Sequence, residues 1–331
     1  MKPRLLVLEL WGLGDLAIAT PFLQAAAERY EVTLLAKPFA LELQPRLWPQ
    51  VQVIPFEAPW TAFRGKYKFW KWPWRTMLRL RHQLRKKQFD FALSARWDPR
   101  DHLLLSFSGA RETLGFSRLK SRRYLTRELL RPAPEAHRYE NWRIAGQPLG
   151  LEIPATKKIL PPPRLRHRTI IVHTGARLAL RVWPLENYSR VIKRLREKNY
   201  DVQIACDPEQ LGWWEQHEEN PACPSSVTAL FQLLEGAALF IGNDSGPGHI
   251  AAITGVATFT FFGPQLSEWF VPLHPAAEAF DGHACPYKPC SDYCRFSRPF
   301  CLEDVTAEEA WPRVEQFVEK NLPLAAAPSG R

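Results

Sequence analysis

The chain reads as an α/β protein made of two doubly wound, Rossmann-like domains. Three observations predict this. Short apolar runs such as residues 4–10 and 169–173 alternate with stretches of helical periodicity, the signature of parallel strands covered by helices. The alternation is interrupted by a proline- and arginine-rich stretch, residues 152–168, and then restarts. The length of 331 residues is long for one ordinary domain and comfortable for two.

In the first half, residues 4–10 form a strand, residues 16–29 a helix, and residues 32–36 and 51–55 two further strands. Residues 77–87 read as a basic helix with Leu80 and Leu84 on one face, followed by a strand over residues 90–95. After the linker come strands at residues 169–173 and 201–206, each followed by a helix, at 185–198 and 228–235. Strands at residues 237–241 and 258–262 flank a short helix after Asp244. Thr306-Ala-Glu-Glu309 is a capping box that opens the last helix, with Pro312 close behind. These marks predict an N-terminal domain over residues 1–155, a C-terminal domain over 165–305, a terminal helix over 306–322 and a disordered tail over 323–331. Two such domains are expected to face a central cleft, since ligands of open parallel sheets bind beyond the C-terminal strand ends.

Net charge is +10, which suits an anionic partner. The charge concentrates in residues 60–89, which hold ten Lys and Arg, many tryptophans, and no Asp or Glu. No window approaches a transmembrane span, and Glu9 interrupts the apolar start too early for a signal peptide. A cytoplasmic protein is therefore expected, and its six cysteines are expected reduced.

Four turns could carry chemistry. At the first strand end, Gly12, Gly14 and Ala17 match a dinucleotide fingerprint, but Lys37 follows the second strand where that motif wants a ribose-binding acid. Asp15 is the distinctive residue there; it can cap the helix or present a carboxylate to the cleft. The second turn is His173-Thr174-Gly175-Ala176 with Arg177 and Arg181, a loop able to neutralise a diphosphate. The third, Asn243-Asp244-Ser245-Gly246-Pro247-Gly248-His249, is a strand-to-helix turn with small residues and free N–H groups, ready for an anion. Asp244 and Ser245 are its candidate caps, and Gly255 closes the helix. The fourth, Phe262-Gly263-Pro264, reads as an ordinary turn. Cys285, Cys290, Cys294 and Cys301 could offer thiolates to zinc, but their spacing is not that of a ribbon or finger, and packed reduced cysteines are the simpler reading.

Together these residues resemble glycosyltransferase family 9, the heptosyltransferases of lipopolysaccharide inner-core assembly. The resemblance rests on Gly14-Asp15 with Pro21, residues 30–35, Phe89-Asp90-Phe91, the His173 turn, Arg181-x-Trp183-Pro184, and the Asn243–His249 stretch with Gly263-Pro264. It implies a GT-B architecture, an N-terminal acceptor domain and a C-terminal nucleotide-sugar domain. It also implies an inverting, metal-independent glycosyltransferase that moves a heptose or related sugar from a nucleotide diphosphate, ADP-heptose above all, to a lipopolysaccharide-core-type acceptor. The nucleotide-sugar is a co-substrate and no cofactor is implied. Asp15 matches the family's general base and Arg181 a donor-diphosphate cation. Thr174, Gly175, Ala176, Arg177, Glu209, Asp244, Ser245, Gly246 and His249 fall on the donor side, and Gly12, Gly14, Lys71 and Arg75 on the acceptor side. The implied partners are the nucleotide-sugar, a glycolipid acceptor and a transient contact with the inner face of the anionic cytoplasmic membrane, through the basic tryptophan-rich stretch. That stretch departs from the family pattern. Its tryptophans suit either surface or core, with surface favoured for Trp70, Trp72 and Trp74 and core for Leu80 and Leu84. The competing readings are a basic nucleic-acid- or anion-binding protein, or a family member that uses another sugar or lacks catalysis.

Overall fold

A computed structural model describes residues 2–62, 68, 70, 72–156, 159, 167–217, 219–290 and 293–323. The chain divides into two compact units, Met1–Thr156 and Lys157–Arg331. Most of the proline-rich linker, Lys71 and nearly all of the expected C-terminal tail lie outside the described residues.

The first unit runs β1 (Arg4–Glu9), α1 (Leu13–Arg29), β2 (Glu31–Ala36), α2 (Ala40–Leu47), β3 (Gln52–Pro55), α3 (Trp74–Lys86), β4 (Phe91–Ser94), α4 (Pro99–Ser108), β5 (Glu112–Gly115), β6 (Arg127–Glu128) and α5 (Tyr139–Gly146). Its six strands are parallel and ordered β3-β2-β1-β4-β5-β6. β1 lies between β2 and β4, and its residues Leu5 to Leu8 are fully buried, because helices cover both faces of a parallel sheet. One face carries Leu6, Leu8, Leu35, Ala92 and the inner side of α3, Met77, Leu80 and Leu84.

The second unit runs β7 (Thr169–His173), α6 (Leu185–Glu197), β8 (Asp201–Ala205), α7 (Leu211–Gln216), α8 (Val227–Glu235), β9 (Ala237–Asn243), α9 (Gly246–Ile253), β10 (Ala257–Phe262), α10 (Ser267–Phe270), β11 (Glu278–Asp281), α11 (Phe300–Glu303) and α12 (Ala307–Asn321). Its five strands are parallel in the order β11-β10-β9-β7-β8. Both units are thus doubly wound, as the alternation of strand and helix predicts. α12 belongs to the second core, where Val314, Phe317 and Val318 pack with Phe259 and Ile170.

Several elements depart from expectation. β9 extends two residues past Ile241, because Gly242 and Asn243 still pair with Thr260 and Phe261 of β10. Gly242 allows this: a Cβ there would lie 2.8 Å from the His173 carbonyl on β7. α3 starts at Trp74 rather than residue 77. α4 is marked in the sequence only by Asp98-Pro99, a cap and a first-turn proline. The Asp98 carboxylate accepts from the Arg100 N–H at 2.9 Å.

The capping box at the last helix forms as the sequence predicts. Thr306 Oγ1 accepts from the Glu309 N–H at 3.2 Å, and Glu309 Oε2 accepts from the Thr306 N–H at 2.7 Å. Thr306→Ala should lower the unfolding free energy of the protein by about 1 kcal/mol. Chemical denaturation followed by circular dichroism reads this directly, and an unchanged midpoint would show that α12 does not need its cap.

Candidate functional site

In the first sheet the winding reverses beside β1. The chain goes out from β1 through β2 to β3, then returns to β4 on the other side. At such a reversal the turns after the two central strands diverge and leave room at the strand ends. Asp15 follows β1 and Arg96 follows β4.

Asp15 divides its oxygens between two tasks. Oδ2 accepts from the Gly12 N–H at 2.9 Å and so closes the first turn of α1. Oδ1 forms an ion pair with Arg96 Nη2. The capping role is therefore real, and it leaves the second oxygen for a cation. Gly12 lacks the Cβ that would come within 3.1 Å of Oδ2. Gly14 lies in the same helical turn.

Arg96 is held from several sides. Its guanidinium lies over the Trp11 ring at 5.3 Å, and its Nε is 3.8 Å from Glu9 Oε2. Its carbonyl accepts from His102 Nε2 at 3.1 Å. Burial holds His102 below its ordinary pKa, so the ring is neutral with the proton on Nε2, and Nδ1 accepts from Ser121 Oγ at 2.9 Å. Asp101, on α4, is buried and accepts from Trp60 Nε1 at 2.9 Å and from Ser94 Oγ at 3.4 Å. Trp97 lies under two further guanidinia, Arg138 at 4.9 Å and Arg131 at 5.5 Å.

Three carboxylates, Glu9, Asp15 and Asp101, thus depend on one arginine. Burial raises the pKa of Glu9 to about 8, with Arg96 offsetting only part of it. Burial and the neighbouring Asp98 raise Asp101 to about 7, against the bond from Trp60 and the charge of Arg96. Burial works against the charge of Arg96 as well, but Asp15 and Glu9 outweigh it and stabilise the cation. Burial and the nearby Arg96 charge bring Arg138 down to about 10. Glu9, Arg96, Asp101 and Arg138 go unmarked in the sequence as site residues. A signal existed for Arg96, which sits just past a strand end as Asp15 does, but the strand order that makes β4 the neighbour of β1 is not written locally.

The second sheet reverses beside β7, which β8 and β9 flank. The turns after β7 and β9 are tied together by one buried side chain. Asn243 Oδ1 accepts from the Trp183 N–H and from the Tyr188 hydroxyl, both at 2.9 Å. Its Nδ2 donates to the Thr174 carbonyl at 2.8 Å. The Thr174 hydroxyl donates to Gln210 Oε1 at 2.9 Å and lies 3.3 Å from Trp214 Nε1. Thr174 is fully buried, so it supports the loop from below rather than presenting a side chain to a ligand. Burial lowers His173 to about 4, leaving a neutral ring whose Nδ1 accepts from the Gly175 N–H at 3.2 Å. Gly175 is confined: a Cβ would lie 2.3 Å from the Asp207 carboxylate. Ala176 is half-buried and Arg177 exposed on the same loop. Glu209 is exposed in the Pro208–Gln210 turn after β8.

After β9, Asp244 is buried and pairs through Oδ2 with Arg181 Nη1 at 3.0 Å. Ser245 is the N-cap of α9, with extended backbone, but its side chain does not cap, and Asp244 stands one residue before the cap. The Ser245 hydroxyl and Arg181 Nε are buried and without a hydrogen-bond partner among the described residues. Gly246 begins α9, His249 is buried within its first turn, and Gly255 lies beyond it at φ +89°. A guanidinium fixed by Asp244, an unengaged hydroxyl and the N–H groups of a helix start converge on one turn. Such a turn can take an anion.

Arg75 is exposed on α3. All six cysteines are free thiols; Cys301 is buried, and Cys285, Cys290 and Cys294 are partly exposed. Among the described residues no three His, Cys, Asp or Glu side chains gather so as to hold a metal ion.

The sequence profile of glycosyltransferase family 9 (heptosyltransferase) matches residues 77–298, more than half of the chain. The chain belongs to this family. Its two Rossmann-like units are those of the GT-B fold class. It is similar to lipopolysaccharide heptosyltransferase 3 of Escherichia coli K12, at 31% identity over 104 residues. That match spans 28% of the chain and only 30% of the relative. Family 9 members of known structure have the same fold along nearly the whole chain. A family 9 glycosyltransferase of Veillonella parvula superposes with a TM-score of 0.73 at 17% identity, covering 97% of this chain and 98% of its own. E. coli heptosyltransferase WaaC with ADP gives 0.72 at 18% identity, covering 96% and 99%.

The buried carboxylates make stability depend on pH. Glu9 has a folded-state pKa raised above its unfolded value, so the folded state binds the extra proton and loses stability as pH rises between about 4.5 and 8. Glu9→Gln should flatten that loss. The variant should melt a few degrees above the wild type at pH 8 and close to it at pH 5, at roughly 2–4 °C per kcal/mol. Scanning calorimetry across this range tests the assignment; parallel pH profiles would exclude it.

Proposed function

We propose that this family 9 member moves a heptose, or a closely related sugar, from a nucleoside diphosphate donor of the ADP-heptose type to a hydroxyl of a lipopolysaccharide-core-type glycolipid. The observation that carries the donor half is the turn at Asp244–Gly246: a buried Arg181–Asp244 pair, a buried Ser245 hydroxyl with no partner among the described residues, and the start of α9. The ADP bound by the similar E. coli heptosyltransferase WaaC supports the choice of base.

In this reading Asp244 is not a ligand of the diphosphate, which its charge would repel. It aims Arg181, whose remaining N–H groups take phosphate oxygens, together with the N–H groups of Ser245 and Gly246. Gly175, Ala176 and Arg177 line the same donor region, with His249 in the first turn of α9 and Glu209 toward the ribose. Asp15 is the general base. The acceptor oxygen attacks the anomeric carbon and gives its proton to the Asp15 carboxylate. The bond from that carbon to the donor phosphate oxygen breaks, the electron pair leaves with the nucleoside diphosphate, and the configuration inverts. Arg181 and the helix start stabilise the charge that grows on the leaving group, and the step uses no metal. Arg96 keeps the Asp15 carboxylate fixed, so its loss should lower turnover more than donor affinity.

Two measurements decide the reading. Calorimetric titration with ADP, UDP, GDP and CDP should show preference for ADP, and Arg181→Ala should weaken that binding by about 10- to 100-fold, the value of one charge-assisted contact. Preference for UDP would redirect the search for the sugar. Asp15→Asn should keep the fold and the ADP affinity but reduce transfer by roughly 10²- to 10⁴-fold. A variant that still transfers sugar at near wild-type rate would remove Asp15 from the role.

A further inference from the structure

Arg96 stands between two carboxyl groups. Its Nη2 pairs with Asp15 Oδ1, and its Nε lies 3.8 Å from Glu9 Oε2. The two acids are placed differently. Asp15 is part-exposed in the first turn of α1. Glu9 ends β1, is 2% exposed, and accepts from the Trp11 N–H at 3.2 Å. A carboxylate buried that deeply needs several donors or a full counter-charge. Among the described residues Glu9 has one N–H and a guanidinium whose shorter contact is with another acid. This geometry leaves Glu9 neutral while Arg96 serves Asp15, and it agrees with the rise of the Glu9 pKa to about 8 by burial. Charged groups act on Glu9 from three elements. Arg96 after β4 favours the carboxylate, and Asp15 on α1 and Asp101 on α4 oppose it. β2 presents Ala36, which has no charge, at the paired position. Asp101 has its own partners, Ser94 and Trp60. Trp60 packs at 5.5 Å on Trp72, which turns inward rather than to the surface favoured for it from the sequence.

We propose that Glu9 is a positioning residue for the general base: as a neutral carboxyl it leaves the Arg96 guanidinium to Asp15, and as a carboxylate it draws that guanidinium away. The reason is competition in a desolvated place. An ionised Glu9 is cut off from water and gains more from a full ion pair than Asp15, which water still reaches. The move is short, because Arg96 Nε is already 3.8 Å from Glu9 and the guanidinium rests on the Trp11 ring at 5.3 Å. Asp15 then keeps the Gly12 N–H but loses its second anchor, so the carboxylate that takes the acceptor's proton is no longer held on both sides. This coupling rests on the reading of Asp15 as general base, and it names the group that decides when that base is in place. Glu9 acts through Arg96 and is not itself a catalytic residue.

The test is single-turnover sugar transfer by the whole chain from about pH 6 to about pH 9, for the wild type and Glu9→Gln. The wild-type rate should fall on the alkaline side with a midpoint of about 8, to roughly a tenth at one unit above it. Gln has the shape of the neutral carboxyl, so Glu9→Gln should lose less than about twofold over the same range. A merely structural role would lower the rate at every pH instead. ADP affinity should stay level across the range in both proteins. Asp101→Asn should keep the alkaline fall, although Asp101 itself titrates at about 7, and Arg138, at about 10, titrates above the window. Melting curves confirm that each variant is folded. The coupling is also read without turnover. In protein carrying nitrogen-15 glycine, the Gly12 amide bonds to Asp15 Oδ2. Its signal should shift with the same midpoint in the wild type and stay still in Glu9→Gln. A Glu9→Gln rate that falls as the wild type's does, or a Gly12 amide that ignores the midpoint, overturns the proposal. If no sugar is transferred at any pH, the transferase reading fails, and the amide titration still decides the coupling.

Discussion

In a parallel sheet every strand ends at the same edge, and the turn after each strand must either cover that edge or leave it open. Where the winding reverses, the turns after two adjacent strands depart in opposite directions and leave it open. Both candidate sites follow from this constraint. In the first unit the reversal brings Asp15, after β1, against Arg96, after β4. In the second it brings the His173 turn, after β7, against the Asn243 turn, after β9. Neither pair is adjacent in sequence, and both are neighbours only because their strands are.

The two edges solve opposite electrostatic problems. The first concentrates negative charge. Glu9, Asp15 and Asp101 share Arg96, and burial leaves Glu9 holding its proton at neutral pH. Removing one member therefore disturbs the others through the guanidinium they share. The second edge concentrates donors. Asn243 spends all of its hydrogen bonds on fixing two turns, and Asp244 spends its charge on one arginine. Among the described residues, the Ser245 hydroxyl and Arg181 Nε remain without a hydrogen-bond partner beside the start of α9.

Much of this was legible in the sequence because the signals are local. Apolar runs mark β1, β7 and β10, and Thr306-x-x-Glu309 marks the start of α12. The turn at Asp244 stands out because Gly246 and Pro247 open a helix directly after a strand. The elements that escaped are those whose reasons are distant. β6 has two residues and exists only as an addition to the sheet edge beside β5. β9 continues to Asn243 because β10 pairs with it, not because of its own composition. Arg96 and Asp101 look like ordinary loop charges until β4 is placed next to β1. Thr174 shows the converse case. Its place beside a glycine in a strand-end turn suggests a ligand contact, but Trp214 and Gln210, some 40 residues on, claim its hydroxyl.

Asp244 shows why a residue's type alone does not give its role. A carboxylate beside an anion site is unfavourable unless its charge is already spent, and here it is spent on Arg181. The pair has little freedom, because Asp244 is buried and its N–H is bonded to the Phe261 carbonyl at 3.1 Å. The arginine's orientation is therefore set by the fold, and in the proposed reading its long side chain would lose less conformational freedom on binding than a free surface arginine would. The same logic applies to Asp15, which one N–H and one guanidinium hold from both sides. In both units a charge is made useful by being fixed first, and the fixing partner comes from a strand end that only the fold makes adjacent.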